Sequence, residues 1–371
     1  MVSIGMLHYR KNPEEVKKAY AFAAVSKMEE VDFSYFSYGC VDFEQRKING
    51  WVHDSGKWVQ KEIEFPEVII NISSPRTKRQ SAIKNKLKDI AIFTSYPVGN
   101  KLYVYNKILN GEKFAEYLIP STQINRGQDV LPFFQEYQKL VIKPLSGNHG
   151  NGVMFIEKIS DDSYQLTDGT VKKIYKEKLL TVFINRLIRE RKYLLQPFIE
   201  CKTRAGLTYD FRLHVQKIGN GEWEINLIYP RISGNSKMIS NINRGGYRGE
   251  LVPFLIEEFG NEHLEIKELL EQFALAFSTH FDTLYDHRFD ELGIDVGIDK
   301  DRKLWIFEVN WRPGSKHREF EVAKRLIPYC IYLANRRSDP SNKGKSPPKL
   351  FPFLKYLLSF KSLIYNYTKK Y

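Results

Sequence analysis

The chain has 371 residues, 42% of them apolar, and 57 Lys and Arg against 44 Asp and Glu give a net charge of +13. That length exceeds one typical core and predicts two or three subdomains, while no run of uncharged apolar residues is long enough to span a bilayer. Three widely spaced cysteines, Cys40, Cys201 and Cys330, suggest neither a disulfide framework nor a zinc site, and the start has no basic segment ahead of its apolar residues, so a cytoplasmic protein is expected.

Residues 1–103 alternate short strand-like runs with one helix-like run that begins near Pro13, a residue suited to a first helical turn, and read as a small α/β domain. Residues 51–59 form a hairpin pattern around Asp54-Ser55-Gly56, and residues 67–72 a buried strand. A short helical pattern opens near Tyr105 with Asn106-Lys107-Ile108-Leu109 and ends before Ile119-Pro120.

The segment Leu140-Val141-Ile142-Lys143-Pro144-Leu145-Ser146-Gly147-Asn148-His149-Gly150-Asn151-Gly152 carries the strongest local signal. A β-branched run delivers one lysine to a loop with three glycines in six residues. Glycine tolerates positive φ and leaves room for backbone N–H groups to turn toward phosphate oxygens, and the lysine adds a point charge. The competing reading is a plain turn between strands.

A third segment begins near Leu194, with a strand pair at residues 211–215 and 223–228 and a long helix over about 262–284. His280, amid the apolar positions of that helix, reads as packed rather than coordinating. Two apolar strands around Asp299-Lys300-Asp301-Arg302 then form a hairpin. Side chains alternate along a strand, so Glu308 and Asn310 share a face, and the hairpin can bring Asp295 beside them. Three such oxygen donors suit Mg²⁺; ordinary solvent-facing sheet positions are the alternative.

Residues 338–349 hold Pro340, Gly344, Pro347 and Pro348 and read as a linker. Beyond it, polar Lys355, Ser359, Ser362 and Asn366 recur at helical spacing among Leu, Phe and Tyr, a short helix with a wide apolar face. Residues 338–371 carry seven lysines against Asp339, so +6 of the net charge sits there. The body is therefore only mildly basic, and nucleic acid is not an expected partner. The tail is expected either to meet an anionic membrane surface or to pack on the protein's own core.

Lys107, Lys143 with its glycine loop, Gln196-Pro197-Phe198-Ile199, Asp210-Phe211-Arg212, Ser240-Asn241-Ile242-Asn243-Arg244-Gly245-Gly246 and Glu308-Val309-Asn310 occur in the order seen in ATP-grasp enzymes. Over about residues 100–320 the chain resembles the YheC/YheD family of endospore coat-associated proteins within that superfamily. The resemblance implies an α/β (α+β) ATP-grasp fold behind a pre-ATP-grasp domain. The expected divisions are 1–103 for that domain, 104–193 for a small subdomain with the glycine loop, 194–337 for a large subdomain with the metal site, and 338–371 for the basic tail.

The same resemblance implies residue roles. Lys107 and Lys143 would contact nucleotide phosphates, with Gly147, Asn148, Gly150 and Gly152 in the loop closing over them. Gln196, Pro197, Phe198 and Ile199 would form the adenine hinge, with Glu200 reaching the ribose. Asp210 and Asn241 would line the nucleotide, Arg212 and Arg244 would stabilise the transferred phosphate, and Asp295, Glu308 and Asn310 would hold Mg²⁺, with Mn²⁺ as a substitute. Arg212 alone reads equally well as a solvated or salt-bridged strand residue, and Lys107 as a surface lysine. In glutamate-adding ribosomal-protein ligases an arginine precedes the Ser-Asn pair; here Ile239 stands there, so their substrate is not carried over.

The implied activity is ATP-dependent joining of a carboxylate to an amine, for instance on an amino acid or peptide, through an acylphosphate. A scheme in which ATP activates the acyl group needs no enzyme nucleophile, so lysines, arginines, glycines and metal ligands should dominate. The alternative is a nucleotide-binding structural protein of the spore coat, formed in sporulation and attached through the tail.

Overall fold

The computed structural model describes residues 1–147, 151–234 and 246–338, the last without its side chain. Asn148, Gly150, Asn241, Arg244 and the tail from residue 339 lie outside the described residues. Chain contacts divide the protein into Met1–Ala334, which holds every sheet, and Asn335–Tyr371.

The first sheet contains β1 (Ser3–His8), β2 (Asp32–Ser37), β3 (Val41–Asp42), β4 (Lys47–Asp54), β5 (Lys57–Glu64), β6 (Val68–Asn71) and β7 (Ile92–Thr94). Its order is β3-β4-β2-β1-β6-β7, with β5 paired to β4, and the run β2-β1-β6-β7 is parallel. Parallel strands are covered on both faces and need apolar residues at successive positions; Ile4, Met6 and Leu7 of β1 and Val68, Ile69 and Ile70 of β6 are all buried. The β4–β5 hairpin turns at Ser55 and Gly56, both at positive φ, where the sequence pattern placed it. Helix α1 (Lys17–Met28) follows a separate short turn at Pro13–Glu15, and α2 (Lys78–Ile90) is capped by Thr77 accepting from the Gln80 N–H.

Helix α3 (Lys101–Asn110) leads into the second sheet, whose strands are β8 (Thr122–Ile124), β9 (Lys139–Pro144), β10 (Met154–Ser160), β11 (Ser163–Asp168), β12 (Val171–Lys176) and β13 (Tyr193–Pro197). It is antiparallel in the order β12-β11-β10-β9-β13-β8. Helix α4 (Glu177–Glu190) packs Leu180 and Ile184 onto Leu140, Ile142 and Leu195.

The third sheet, also antiparallel, contains β14 (Tyr209–Lys217), β15 (Trp223–Ile232), β16 (Tyr247–Arg248), β17 (Glu291–Ile298) and β18 (Leu304–Trp311) in the order β16-β15-β14-β17-β18. Helices α5 (Leu251–Phe259) and α6 (His263–Thr283) cover one face, contributing Phe254, Leu255, Leu270, Phe273, Phe277 and Phe281 to the largest core. Helix α7 (Glu319–Ser338) follows this sheet in sequence, yet Val322, Ala323, Leu326, Ile327 and Cys330 pack with Ile4, Met6, Phe22 and Val25 of the first. No helix among the described residues is long and apolar enough to cross a membrane.

Candidate functional site

A cleft of about 1050 Å³, counted to its open mouth, is lined jointly by the second and third sheets. Along β9 buried and half-buried residues alternate, so Leu140 and Ile142 point into the core while Val141 and Lys143 reach the cleft. Gln196, Pro197, Phe198 and Ile199 line the same wall. The Phe198 N–H donates to the Lys139 carbonyl (2.9 Å), and Gln196 Nε2 donates to Ser121 Oγ (2.5 Å), fixing this crossing between sheets. Ile119, Val141, Val153, Phe155, Ile199 and Phe307 leave an apolar slot suited to a flat ring.

The opposite end of the cleft is charged. Asp210 on β14 stands opposite Arg231 on β15, and Asp295 on β17 stands opposite both Arg212 on β14 and Glu308 on β18. Arg231 donates to both Asp210 oxygens, Nε to Oδ1 at 2.7 Å and Nη2 to Oδ2 at 2.6 Å, and lies 3.1 Å from Asp295 Oδ2. Arg212 donates to Asp295 through Nε to Oδ1 and through Nη2 to Oδ2, the latter at 3.1 Å. All four side chains are nearly buried. Burial alone would raise the Asp295 carboxyl, but Arg212 and Arg231 outweigh it and hold the group below the usual carboxylate range.

A β-bulge lets one strand serve both ends. The register of β17 with β18 passes from Asp295↔Glu308 to Val296↔Ile306, so Phe307 is unmatched. Phe307 and Glu308, adjacent in sequence, both line the cleft, the first in the slot and the second at the charged end. Gly297 makes room for this: a Cβ there would collide with the Phe307 ring and lie 2.6 Å from Cys201 Sγ.

Lys143 is enclosed by this arrangement. Burial pushes its ammonium down to about 8; Lys101 adds to the fall, whereas Glu308 and Asp295 oppose it. A desolvated ammonium facing an open cleft favours an anion there. The loop beyond it has Gly147 at φ 140° and Gly152 at φ 74°, conformations that suit glycine, and Gly147 and Asn151 line the cleft.

Not every expected residue is brought here. Lys107 lies in the last turn of α3 rather than at a helix start, and its ammonium donates to the Leu284 carbonyl (2.8 Å) beside the Tyr103 and Tyr285 rings, in a separate small pocket. The lysine facing the cleft is Lys101, the first residue of α3, whose Nζ meets Glu308 Oε1 at 2.9 Å and the Gly147 carbonyl at 3.2 Å. Glu200 pairs with Lys202 at 2.5 Å and does not line the cleft. Lys101 had a legible signal in the preceding Asn100, which caps α3 by accepting from the Tyr103 N–H at 2.9 Å. Arg231, also unforeseen, had none, because its place opposite Asp210 follows from register.

The donor set for a hard cation is two carboxylates and one amide; the described residues form no group of three or more His, Cys, Asp or Glu that could hold a metal ion. Asn310 Nδ2 donates to Asp295 Oδ2 at 3.3 Å, and among the described residues the Asn310 amide oxygen has no hydrogen-bond donor. Among the described residues Asp295 Oδ1 receives one donor, so a lone pair remains there as well. With Glu308 opposite Asp295, the trio fits the oxygen chemistry of Mg²⁺.

A family model described as YheC/D like ATP-grasp matches residues 89–333. The endospore coat-associated protein YheD of Bacillus subtilis (strain 168) is 25% identical over 329 residues, 80% of this chain and 69% of that protein. The endospore coat-associated protein YheC of the same strain is 23% identical over 242 residues, 62% of this chain and 65% of that one. Among solved structures, D-alanyl-alanine synthetase A from Vibrio cholerae O1 biovar eltor str. N16961 superposes with a TM-score of 0.56 at 12% identity, covering 90% of this chain and 98% of the other. At that identity the likeness is one of fold.

Proposed function

The chain belongs to the YheC/D-like ATP-grasp family, and from that premise we propose that it is an ATP- and Mg²⁺-dependent ligase joining a carboxylate to an amine. The observation that carries the reading is the cleft itself: an apolar slot and a charged end joined by one bulged strand, with Lys101 and Lys143 between them. Adenine enters the slot against Val141, Phe155, Phe198, Ile199 and Phe307, and the phosphates extend past the two lysines and Gly147.

Asp295, Glu308 and Asn310 would hold Mg²⁺, which would supply positive charge to offset that of the phosphates. The remaining work is electrostatic. A substrate carboxylate oxygen attacks the γ-phosphorus and ADP leaves, giving an acylphosphate. The amine nitrogen then attacks the acyl carbon, phosphate departs, and the nitrogen loses a proton to solvent. Lys101 and Lys143 hold the phosphate chain in line, and Arg231 on the cleft wall, with Arg212 adding its charge through Asp295, presents positive charge where the transferred phosphoryl group develops negative charge.

The test is ADP release from ATP, Mg²⁺ and pools of amino acids and peptides as carboxylate and amine. Substrate-dependent release that Glu308→Ala abolishes supports the ligase. No release with any pool, together with no effect of Glu308→Ala, would overturn it. The names of the two Bacillus subtilis relatives favour a second reading, a coat-associated protein for which ATP is a bound structural ligand. It predicts tight ATP binding by calorimetry without turnover.

A further inference from the structure

The first sheet reverses direction of growth at β1, which pairs with β2 on one side and β6 on the other. The carboxyl ends of β1 and β6 therefore border a switch-point crevice, the place where open parallel sheets receive ligands. Here the crevice is cationic. Arg76 stacks its guanidinium 3.5 Å from the Tyr9 ring centroid, and Arg10 stands 5.8 Å from the same ring. The Tyr9 N–H is held by Ser73 Oγ at 3.0 Å, so the stacking platform is fixed to the end of β6.

The third sheet supplies another guanidinium. Arg312 follows directly after β18, and its φ of 50° turns the chain off the strand. Its Nη1 then donates to the Asn71 carbonyl (3.2 Å) and its Nη2 to Ser74 Oγ (2.8 Å), both neutral acceptors at the crevice. Asn71 itself is buried, and its Oδ1 has no hydrogen-bond partner among the described residues.

The nearby carboxylates offset Arg10 and, at longer range, Arg312, but each has other partners. Glu15 sits 3.9 Å from Arg10, Asp290 accepts from the Ser95 N–H and hydroxyl at 2.8 and 2.7 Å, and Glu291 pairs with His214 at 2.8 Å. No ion pair joins Arg76 or Arg312 to a carboxylate among the described residues. The surplus of positive charge is felt at His8, the last residue of β1: burial and then Arg10, Arg76 and Arg312 hold its imidazole down at about 4.

From this geometry we infer that the crevice is an oxyanion subsite, in which Arg76 and Arg312 grip a carboxylate or phosphate group of the substrate remote from the carboxylate that reacts. This deepens the ligase reading and rests on it: Arg312 lies two residues beyond Asn310, so a substrate anchored in the crevice extends toward the proposed metal end of the cleft. The substrate class is then one with a second anionic group, either a dicarboxylate or a phosphorylated acid.

The test is arginine labelling of the full chain by phenylglyoxal, mapped by peptide mass spectrometry, with inorganic phosphate or glutarate as the protecting probe. Either probe should slow labelling of Arg76 and Arg312 together and leave Arg302, ion-paired to Glu262 at 2.9 Å, unaffected. Protection by phosphate alone identifies a phosphorylated substrate, and by glutarate alone a dicarboxylate. Arg76→Gln, at an exposed position, should fold and weaken the protection of Arg312 roughly tenfold, the worth of one charge-assisted contact. Labelling indifferent to both probes, or slowed only in step with Arg302, overturns the subsite. ADP binding measured in parallel reports on the nucleotide cleft alone, so failure there leaves arginine protection readable, and the reverse.

Discussion

Lys101 and Glu308 are ion-paired at 2.9 Å across the cleft, linking the first residue of α3 to the strand that carries the proposed metal ligands. The pair joins two groups that the ligase scheme assigns to different tasks, one to phosphate and one to Mg²⁺. Ligand binding therefore has to replace this contact with two others. Both side chains keep some solvent access, at 17% and 33% exposure, so the pair itself adds little stability.

Lys101→Met should accordingly change stability by less than about 1 kcal/mol and weaken ATP binding about tenfold or more. Thermal unfolding and calorimetry in parallel separate the two effects. A variant that binds ATP like the parent protein removes Lys101 from the phosphate site.

Lys107→Ala should do the reverse. Loss of its bond to the Leu284 carbonyl and of two ring contacts costs about 1 kcal/mol, while ATP affinity stays unchanged. The check is the same pair of measurements, and a large loss of affinity would return Lys107 to the nucleotide.

Asp295→Ala should be severe for folding as well as for turnover. It leaves Arg212 without a carboxylate and strips Arg231 of one of two, in a nearly buried setting, and breaking such a pair costs about 3–5 kcal/mol. Urea unfolding reads the loss. A shift below about 1 kcal/mol would mean that Asp210 alone satisfies the arginines.

Gly297→Ala tests the bulge. The added methyl meets the Phe307 ring and Cys201, and overpacking of this kind costs about 1–3 kcal/mol. Because Phe307 lines the slot, ATP affinity should fall together with stability. Unchanged affinity would detach the slot from nucleotide binding.

His8 gives a pH dependence. Its folded value near 4 lies below the ordinary 6.5, so the unfolded chain binds the proton more readily. The stabilisation is complete above pH 6.5 and is lost as pH falls toward 4. His8→Asn, which retains an acceptor for the Arg10 N–H, should flatten the stability curve across that window in chemical denaturation at stepped pH. An unaltered slope would contradict this.

The sequence made the motifs legible where chemistry and local structure coincide. The β17–β18 hairpin, the β4–β5 turn, the long α6 helix and the lysine ahead of the glycine loop follow from patterns within a few residues. Lys107 misled because helical periodicity shows a helix without fixing its start: α3 begins four residues before the apparent pattern, which moves Lys107 from the first turn to the last. There a cation is favoured by the helix dipole for reasons unrelated to a ligand. Arg231 reads as one polar residue in an apolar strand, and only the pairing of β14 with β15 sets it against Asp210. Glu308 and Phe307 sharing the cleft contradicts simple alternation, since a bulge leaves no signature in composition.

The packing of α7 on the first sheet has a consequence for synthesis. The residues that seal β1 and α1 on that side, among them Val322 and Leu326, leave the ribosome roughly 230 residues after β7. At usual elongation rates that interval is about 10–50 s. Throughout it the nascent first domain shows an apolar face with its own cover still untranslated, a window in which any chaperone that holds exposed apolar surface would have something to bind.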